Sequence, residues 1–219
     1  MRIVIAPVLI GLWLSALKAD DAPVMGIGGT IRPMQEHPTI EMVAEYVHAW
    51  LARDQIKVEC VFLLRNDGPA TTVQIGFPNN GGGEVGDYLP FREFHSYVNG
   101  QPVDVAIMPD TSDSTSVFLT WWVKEVYFGP GELKSIRDEY TAAPGMGIFG
   151  YSLSTGSAWA GSIGVGDIIV TLIDIPDSSL ALVHPMPTSR GAGELRWHFE
   201  KLEPTRESEY ASIGVAWRE

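Results

Sequence analysis

The stretch "TWWVKEVYFGPGELKSI", residues 120–136, carries the decision about the fold. Apolar and polar side chains alternate on both sides of Gly129-Pro130-Gly131. Glycine admits positive φ and proline fixes its own φ, so the chain turns sharply there. The pattern predicts a strand running from Val117 through Phe128 and a second containing Ile136, laid side by side as antiparallel neighbours. The adjacent Trp121 and Trp122 must then point to opposite faces. Trp121 shares its face with Leu119 and Val123 and is expected in the core. Trp122 lies with Thr120 and Lys124 on the other face, partly under a glycine-rich loop and partly open to a partner. A bulge near Lys124-Glu125 is allowed for, because the apolar phase moves to Val126 and Phe128.

The same period of two recurs along the chain. Strands are expected near 40–51, 56–65, 71–77, 93–98, 102–107, 116–128, 133–141, 167–175, 194–200 and 212–217, separated by Gly, Pro, Asn and Asp. No segment has the pattern of a long amphipathic helix. Short strands at these intervals predict an all-β antiparallel sandwich with long glycine-rich loops. Asn99-Gly100, between two alternating runs, is the sequence of a two-residue hairpin turn with positive φ at both central positions. "PNNGGGEVGD" and "APGMGIFGYSLSTGSAWAG" are too rich in glycine for regular strand and read as loops suited to binding. Residues 20–219 are expected to form one sandwich domain; a division into two small sandwiches near Pro144 is the alternative.

Residues 1–19 have the layout of a secretory signal peptide, with Arg2, an apolar run from Ile3 to Leu17 and small Ala19 before two aspartates. An uncleaved anchor is the alternative, although the run is shorter than the ~20 residues that span a bilayer. Cleavage after Ala19 gives a secreted or periplasmic protein with no stable membrane span. It removes Arg2 and Lys18, taking the formal charge from −12 to −14. Positive charges are scattered singly, as at Arg65, Lys124, Lys134 and Arg196, which argues against nucleic acid as a partner. The single cysteine, Cys60, allows no internal disulfide, and in "IKVECVFLL" it falls on the apolar face of a strand as a core residue.

Reactive constellations do not emerge. "GYSLS" lacks the final glycine of a nucleophile elbow. The histidines His37, His48, His95, His184 and His198 show no paired zinc spacing, and His48 and His198 sit within strand patterns. Asp110 and Asp113 in "PDTSDSTS" offer oxygens to calcium but lack the glycine and distal glutamate of an EF-hand loop, so a solvated turn is the plainer reading. Glu132, Asp138, Glu139 and Asp167 are carboxylates of the type a glycosidase uses, and no spacing selects a pair. The expectation is no catalysis, no cofactor and no metal.

In order, the segments "GIGGTI", "IEMVAEYVHAWL", "VECVFLLRNDGPATTVQIGFP", "FHSYVNGQPV", "VYFGPGELKSIRDEY" and "YSLSTGSAWAG" resemble the exported bacterial domain-of-unknown-function family 4424 over roughly Gly26 to Trp217. The resemblance implies an exported β-sandwich and transfers no catalytic residue. A remoter similarity, in the P-G-E turn and a return strand ending in Tyr, is to the all-β N-terminal domain of gluzincin aminopeptidases, without their peptidase domain. The function expected is that of a binding or interaction module with a protein or glycan partner at the cell envelope. A glycan-active hydrolase and a purely structural scaffold are the alternatives. Trp122, Trp159 and Tyr88 are the candidate ligand-contacting rings.

Overall fold

The computed structural model describes residues 28–79, 91–109, 120–203, 205, 208 and 210–218. In chain order its strands are β1 (Arg32–Pro33), β2 (Ile40–Leu51), β3 (Ile56–Asn66), β4 (Thr71–Pro78), β5 (Glu93–Val98), β6 (Gln101–Val103), β7 (Ala106–Pro109), β8 (Thr120–Phe128), β9 (Leu133–Ala142), β10 (Ile148–Ser152), β11 (Ile163–Leu172), β12 (Leu180–His184), β13 (Ser189–Gly191), β14 (Glu194–Leu202) and β15 (Ser212–Trp217). The chain is all-β, as the period-two pattern requires; among the described residues two short 3-10 helices, Ser154–Ala158 and Asp177–Ser179, interrupt it.

One layer is an eight-stranded sheet in the order β13-β14-β11-β2-β3-β9-β5-β6. The facing layer is built from a four-stranded sheet, β1-β4-β8-β7, and a three-stranded sheet, β10-β15-β12. Residues 28–33 tie these two together. Thr30 N–H donates to the Ser152 carbonyl at 2.8 Å and Ser152 N–H to that of Gly28 at 3.0 Å, while Arg32 pairs with Gly76 on β4. A single buried cluster fills the space between the layers, with Ile56, Val58, Cys60, Phe62 and Leu64 of β3 all fully buried. That alternation places Cys60 in the core, as its sequence context predicts.

The Gly129-Pro130-Gly131 turn does not make a hairpin. β8 pairs with β4 and β7, whereas β9 pairs with β3 and β5, so the turn carries the chain from one layer to the other. The cause lies at the end of β3. Asn66 N–H donates to the Glu132 carbonyl at 3.0 Å, Gly131 N–H donates to the Asn66 carbonyl at 2.8 Å, and the Asn66 side-chain amide donates to the Gly129 carbonyl at 3.1 Å. Those turn groups are occupied by β3, and β8 and β9 meet face to face rather than edge to edge.

Three further expectations change. The expected strand at 102–107 is two strands in different layers, β6 hydrogen-bonded to β5 and β7 to β8. Glycine did not prevent β10 from forming within the stretch expected to be loop, because it pairs along its whole length with β15. β11 runs parallel to β2, Val165 opposite Ala44 through Leu172 opposite Leu51, so the sandwich is antiparallel except at this one pair of the described strands. The Asn99-Gly100 hairpin is present, with φ of 50° and 77° at the two positions and Val98 paired with Gln101.

Candidate binding site

The two tryptophans of β8 are arranged oppositely to the sequence expectation. The register with β4 runs unbroken from Thr71–Phe128 to Pro78–Trp121, so there is no bulge at Lys124-Glu125. Trp122, Lys124, Val126 and Phe128 therefore share the inward face, and Trp121 and Val123 the outward one. Lys124 misled the phase. Its side chain is fully buried and bonded to Asp138, so a cation occupies what sequence alone takes for a surface position.

Trp122 is half-buried at the edge of the core, with its ring parallel to that of Phe94 at 5.1 Å and its indole N–H donated to the Asn79 side-chain oxygen at 2.9 Å. Trp121 is fully buried although it faces outward, in a small satellite cluster with Val123 and Met34, and the Arg32 guanidinium lies 4.2 Å from its ring centroid. Trp159 is also buried and donates its N–H to the Ile31 carbonyl at 2.7 Å, so its ring supports the 28–33 segment rather than facing solvent. Tyr88, Asp110 and Asp113 lie outside the described residues. Of the expected rings, the two among the described residues, Trp122 and Trp159, do not form an exposed row.

What it does bring together is a groove on the outer face of the four-stranded sheet. Its volume is about 390 Å³, and it is lined by Gln35, His37, Thr72, Val73, Gln74 and Glu125. Alternation on β4 turns Thr72 and Gln74 outward while Val73 is buried. On β8, Glu125 and Tyr127 occupy the positions directly opposite Gln74 and Thr72. Segment 34–37 closes the side beyond β4, held there by Met34 N–H on the Gln74 carbonyl at 2.9 Å. The imidazole of His37 is fixed between two hydroxyls, Thr71 at 3.2 Å and Thr39 at 3.4 Å. Gln74 Nε2 donates to Glu125 Oε1 at 3.1 Å. Among the described residues the other oxygen of Glu125 and the amide of Gln35 make no hydrogen bond. The sequence singles out His37 only as a histidine without zinc spacing and does not mark the others, because Gln35 and His37 are distant from Gln74 and Glu125 and carry no motif.

The outer face of the eight-stranded sheet is different, carrying two clusters whose polar groups bond to one another. His48 stacks on Trp50 with centroids 3.7 Å apart and shares a hydrogen bond with Thr171 at 2.9 Å. Asp167 receives Arg196 at 2.6 Å and lies 3.1 Å from His198 Nδ1. Among the described residues no group of three His, Cys, Asp or Glu side chains is arranged to hold a metal ion. No helix among them is long and apolar enough to cross a membrane.

Beneath this sheet lies a second buried polar group. The Met42/Ala44 bulge in β2 turns Glu45 into the core, where Oε1 accepts from Thr30 Oγ1 and from the Tyr151 hydroxyl, both at 2.7 Å. Burial, opposed by those two hydrogen bonds, raises its pKa from 4.5 to about 7. The bulge is itself possible because Gly164 has no side chain to strike the Val43 carbonyl.

No family model matches the chain, and no curated protein matches it. Among solved structures it is similar to the crystal structure of a "putative nutrient binding protein" from Legionella pneumophila, with 21% identity, a TM-score of 0.64, and 88% of this chain and 71% of that one covered. This likeness shows the fold. A more distant likeness is to the M1 zinc metallopeptidase of Deinococcus radiodurans, at 12% identity and a TM-score of 0.43, where this chain's match spans 43% of the peptidase.

Proposed function

We propose that the chain is an exported, non-catalytic binding module of the bacterial cell envelope, built on the exported β-sandwich that its resemblance to family 4424 implies. The observation that carries this reading is the open groove on the four-stranded sheet, lined by polar side chains with unused hydrogen-bonding capacity. The description of the similar Legionella protein as nutrient binding agrees with ligand binding. Among the described residues Glu125 is the one carboxylate lining the groove, whereas glycoside hydrolysis uses two across the scissile bond, and this favours binding over cleavage. The self-satisfied outer face of the larger sheet favours a scaffold role as the second reading.

The test begins with the exported protein, whose mass should correspond to a chain starting at Asp20. A thermal-shift screen of that protein against oligosaccharides, amino acids and short peptides should then give a saturable rise in Tm for at least one class. Turnover of the ligand would overturn the non-catalytic reading, and failure of every class would favour the scaffold.

A further inference from the structure

Resting on that reading, we propose that the groove binds an uncharged polyhydroxylated ligand, a neutral sugar unit, through Gln35, Thr72, Gln74 and Glu125, with His37 as a fixed wall of the groove and the Tyr127 ring as the platform for the ligand's C–H face. The volume of about 390 Å³ suits a small ligand or one segment of an oligosaccharide. The lining chemistry then removes other classes in turn.

Among the described residues no Lys or Arg lines the groove, and the Glu125 carboxylate repels an anion, which argues against phosphates, acidic sugars and acidic peptides. A lone carboxylate is too few hard ligands for calcium, which takes about six or more oxygens. Among the described residues Val73 is the only apolar one in the lining, and its side chain is buried on the other face, so apart from the single Tyr127 ring a lipid or an apolar side chain finds little surface there. An extended peptide joining the sheet would need the free edge of β4, and beside Gln74 that edge is taken by residues 32–34.

A sugar hydroxyl, by contrast, donates and accepts at once. Carboxylate, amide and hydroxyl groups placed around one opening meet both needs. The Gln74–Glu125 hydrogen bond orients this pair before the ligand arrives, and the two threonine hydroxyls fix the His37 ring. Tyr127, cross-strand partner of Thr72 and 59% exposed, supplies an aromatic ring at the side of the groove. Polar groups that orient the hydroxyls beside a ring that covers the apolar face are the two elements such recognition needs.

The test is isothermal calorimetry of the exported protein with neutral oligosaccharides (maltohexaose, cellohexaose, laminarihexaose), an oligogalacturonate and a library of short peptides. One neutral series should bind. Gln74→Ala and Tyr127→Ala, both at exposed positions and checked for an unchanged Tm, should each weaken it about tenfold. Glu93→Gln on the other layer should leave it unchanged. Neutral-sugar binding that survives both groove substitutions would overturn this site while leaving the binding-module reading intact. Oligogalacturonate or peptide binding that the groove substitutions abolish would overturn the ligand class. No binding by any probe would overturn the inference, and with a silent thermal-shift screen the wider reading as well.

Discussion

The Lys124 ammonium lies 2.6 Å from each carboxylate oxygen of Asp138, joining β8 to β9 through the interior with neither side chain exposed. Ser96 Oγ, on β5 beside β9, adds a third hydrogen bond to Oδ1 at 2.6 Å. Burial pushes the lysine pKa down, and the neighbouring carboxylate acts against that shift. A pair so desolvated gains little over an apolar pair of the same shape, but breaking it leaves a charge stranded in the core. Lys124→Ala should cost about 3–5 kcal/mol. The double substitution Lys124→Met with Asp138→Leu should recover most of that loss. Urea unfolding of the two singles and the double checks it; equal losses for Lys124→Ala and the double would show that packing, not the stranded charge, sets the cost.

This pair also shows where the sequence stops being legible. The alternation of β3 reads its core face correctly from Ile56 to Leu64, and Asn99-Gly100 specifies its turn locally. On β8 the same rule gives the wrong face, because Lys124 is balanced by a residue that reaches it only after the layers close. The turn at Gly129 fails for a related reason, its partners being on Asn66, far back along the chain. The groove is assembled from segments β1–β2, β4 and β8, and no single stretch announces it.

Glu45 makes stability depend on pH. Its pKa rises from 4.5 to about 7 on folding, chiefly through burial. The groups facing it are the hydroxyls of Thr30 and Tyr151, together with the Cys60 thiol; burial pushes the ionisation of Tyr151 and Cys60 well up. Being raised, it contributes stability that is complete below about pH 4.5 and lost as pH climbs through about 7. The loss is about 3 kcal/mol. Glu45→Gln, which mimics the neutral acid, should flatten this dependence and be the more stable protein at about pH 9. Urea midpoints measured on both sides of neutrality decide it, and parallel pH profiles for the two proteins would refute it.

Cys60 should be inert while the protein is folded. The thiol is fully buried and its pKa is driven well above the ordinary value, first by burial and then by Asp138 and Glu45. Labelling by a bulky thiol reagent should proceed only at the rate of opening and accelerate in urea. Rapid labelling of the native protein would contradict the packing around β3.

The tryptophans should respond unequally to truncation. Trp121→Ala empties a fully buried site and should cost about 3–5 kcal/mol. Trp122→Ala loses a half-exposed ring, its stacking on Phe94 and the hydrogen bond to Asn79, for about 2–3 kcal/mol. Neither substitution should affect sugar binding in the groove, since neither ring lines it. A change in affinity without a change in Tm for Trp122→Ala would return that ring to the list of ligand contacts.

Asn66 should prove the most sensitive polar residue outside the buried pairs. Its side chain is fully buried and makes four hydrogen bonds: Oδ1 accepts from Gly68 N–H at 3.0 Å and Thr39 Oγ1 at 3.1 Å, and Nδ2 donates to the carbonyls of Pro69 at 2.7 Å and Gly129 at 3.1 Å. These bonds hold the loop after β3 against the turn that sends the chain across to β9. Asn66→Ala strands several of the partners, each worth about 1–3 kcal/mol when buried and unpaired, so a loss of about 3 kcal/mol or more is expected. Asn66→Asp keeps the acceptor, removes both donors and sets a carboxylate against two carbonyl oxygens, so it should be no better tolerated than alanine. Hydrogen exchange should locate the damage, with Gly68 N–H losing protection in Asn66→Ala first and in Asn66→Asp later. A loss below about 1 kcal/mol for Asn66→Ala would mean that the main-chain bonds to Gly131 and Glu132 hold the crossing turn by themselves.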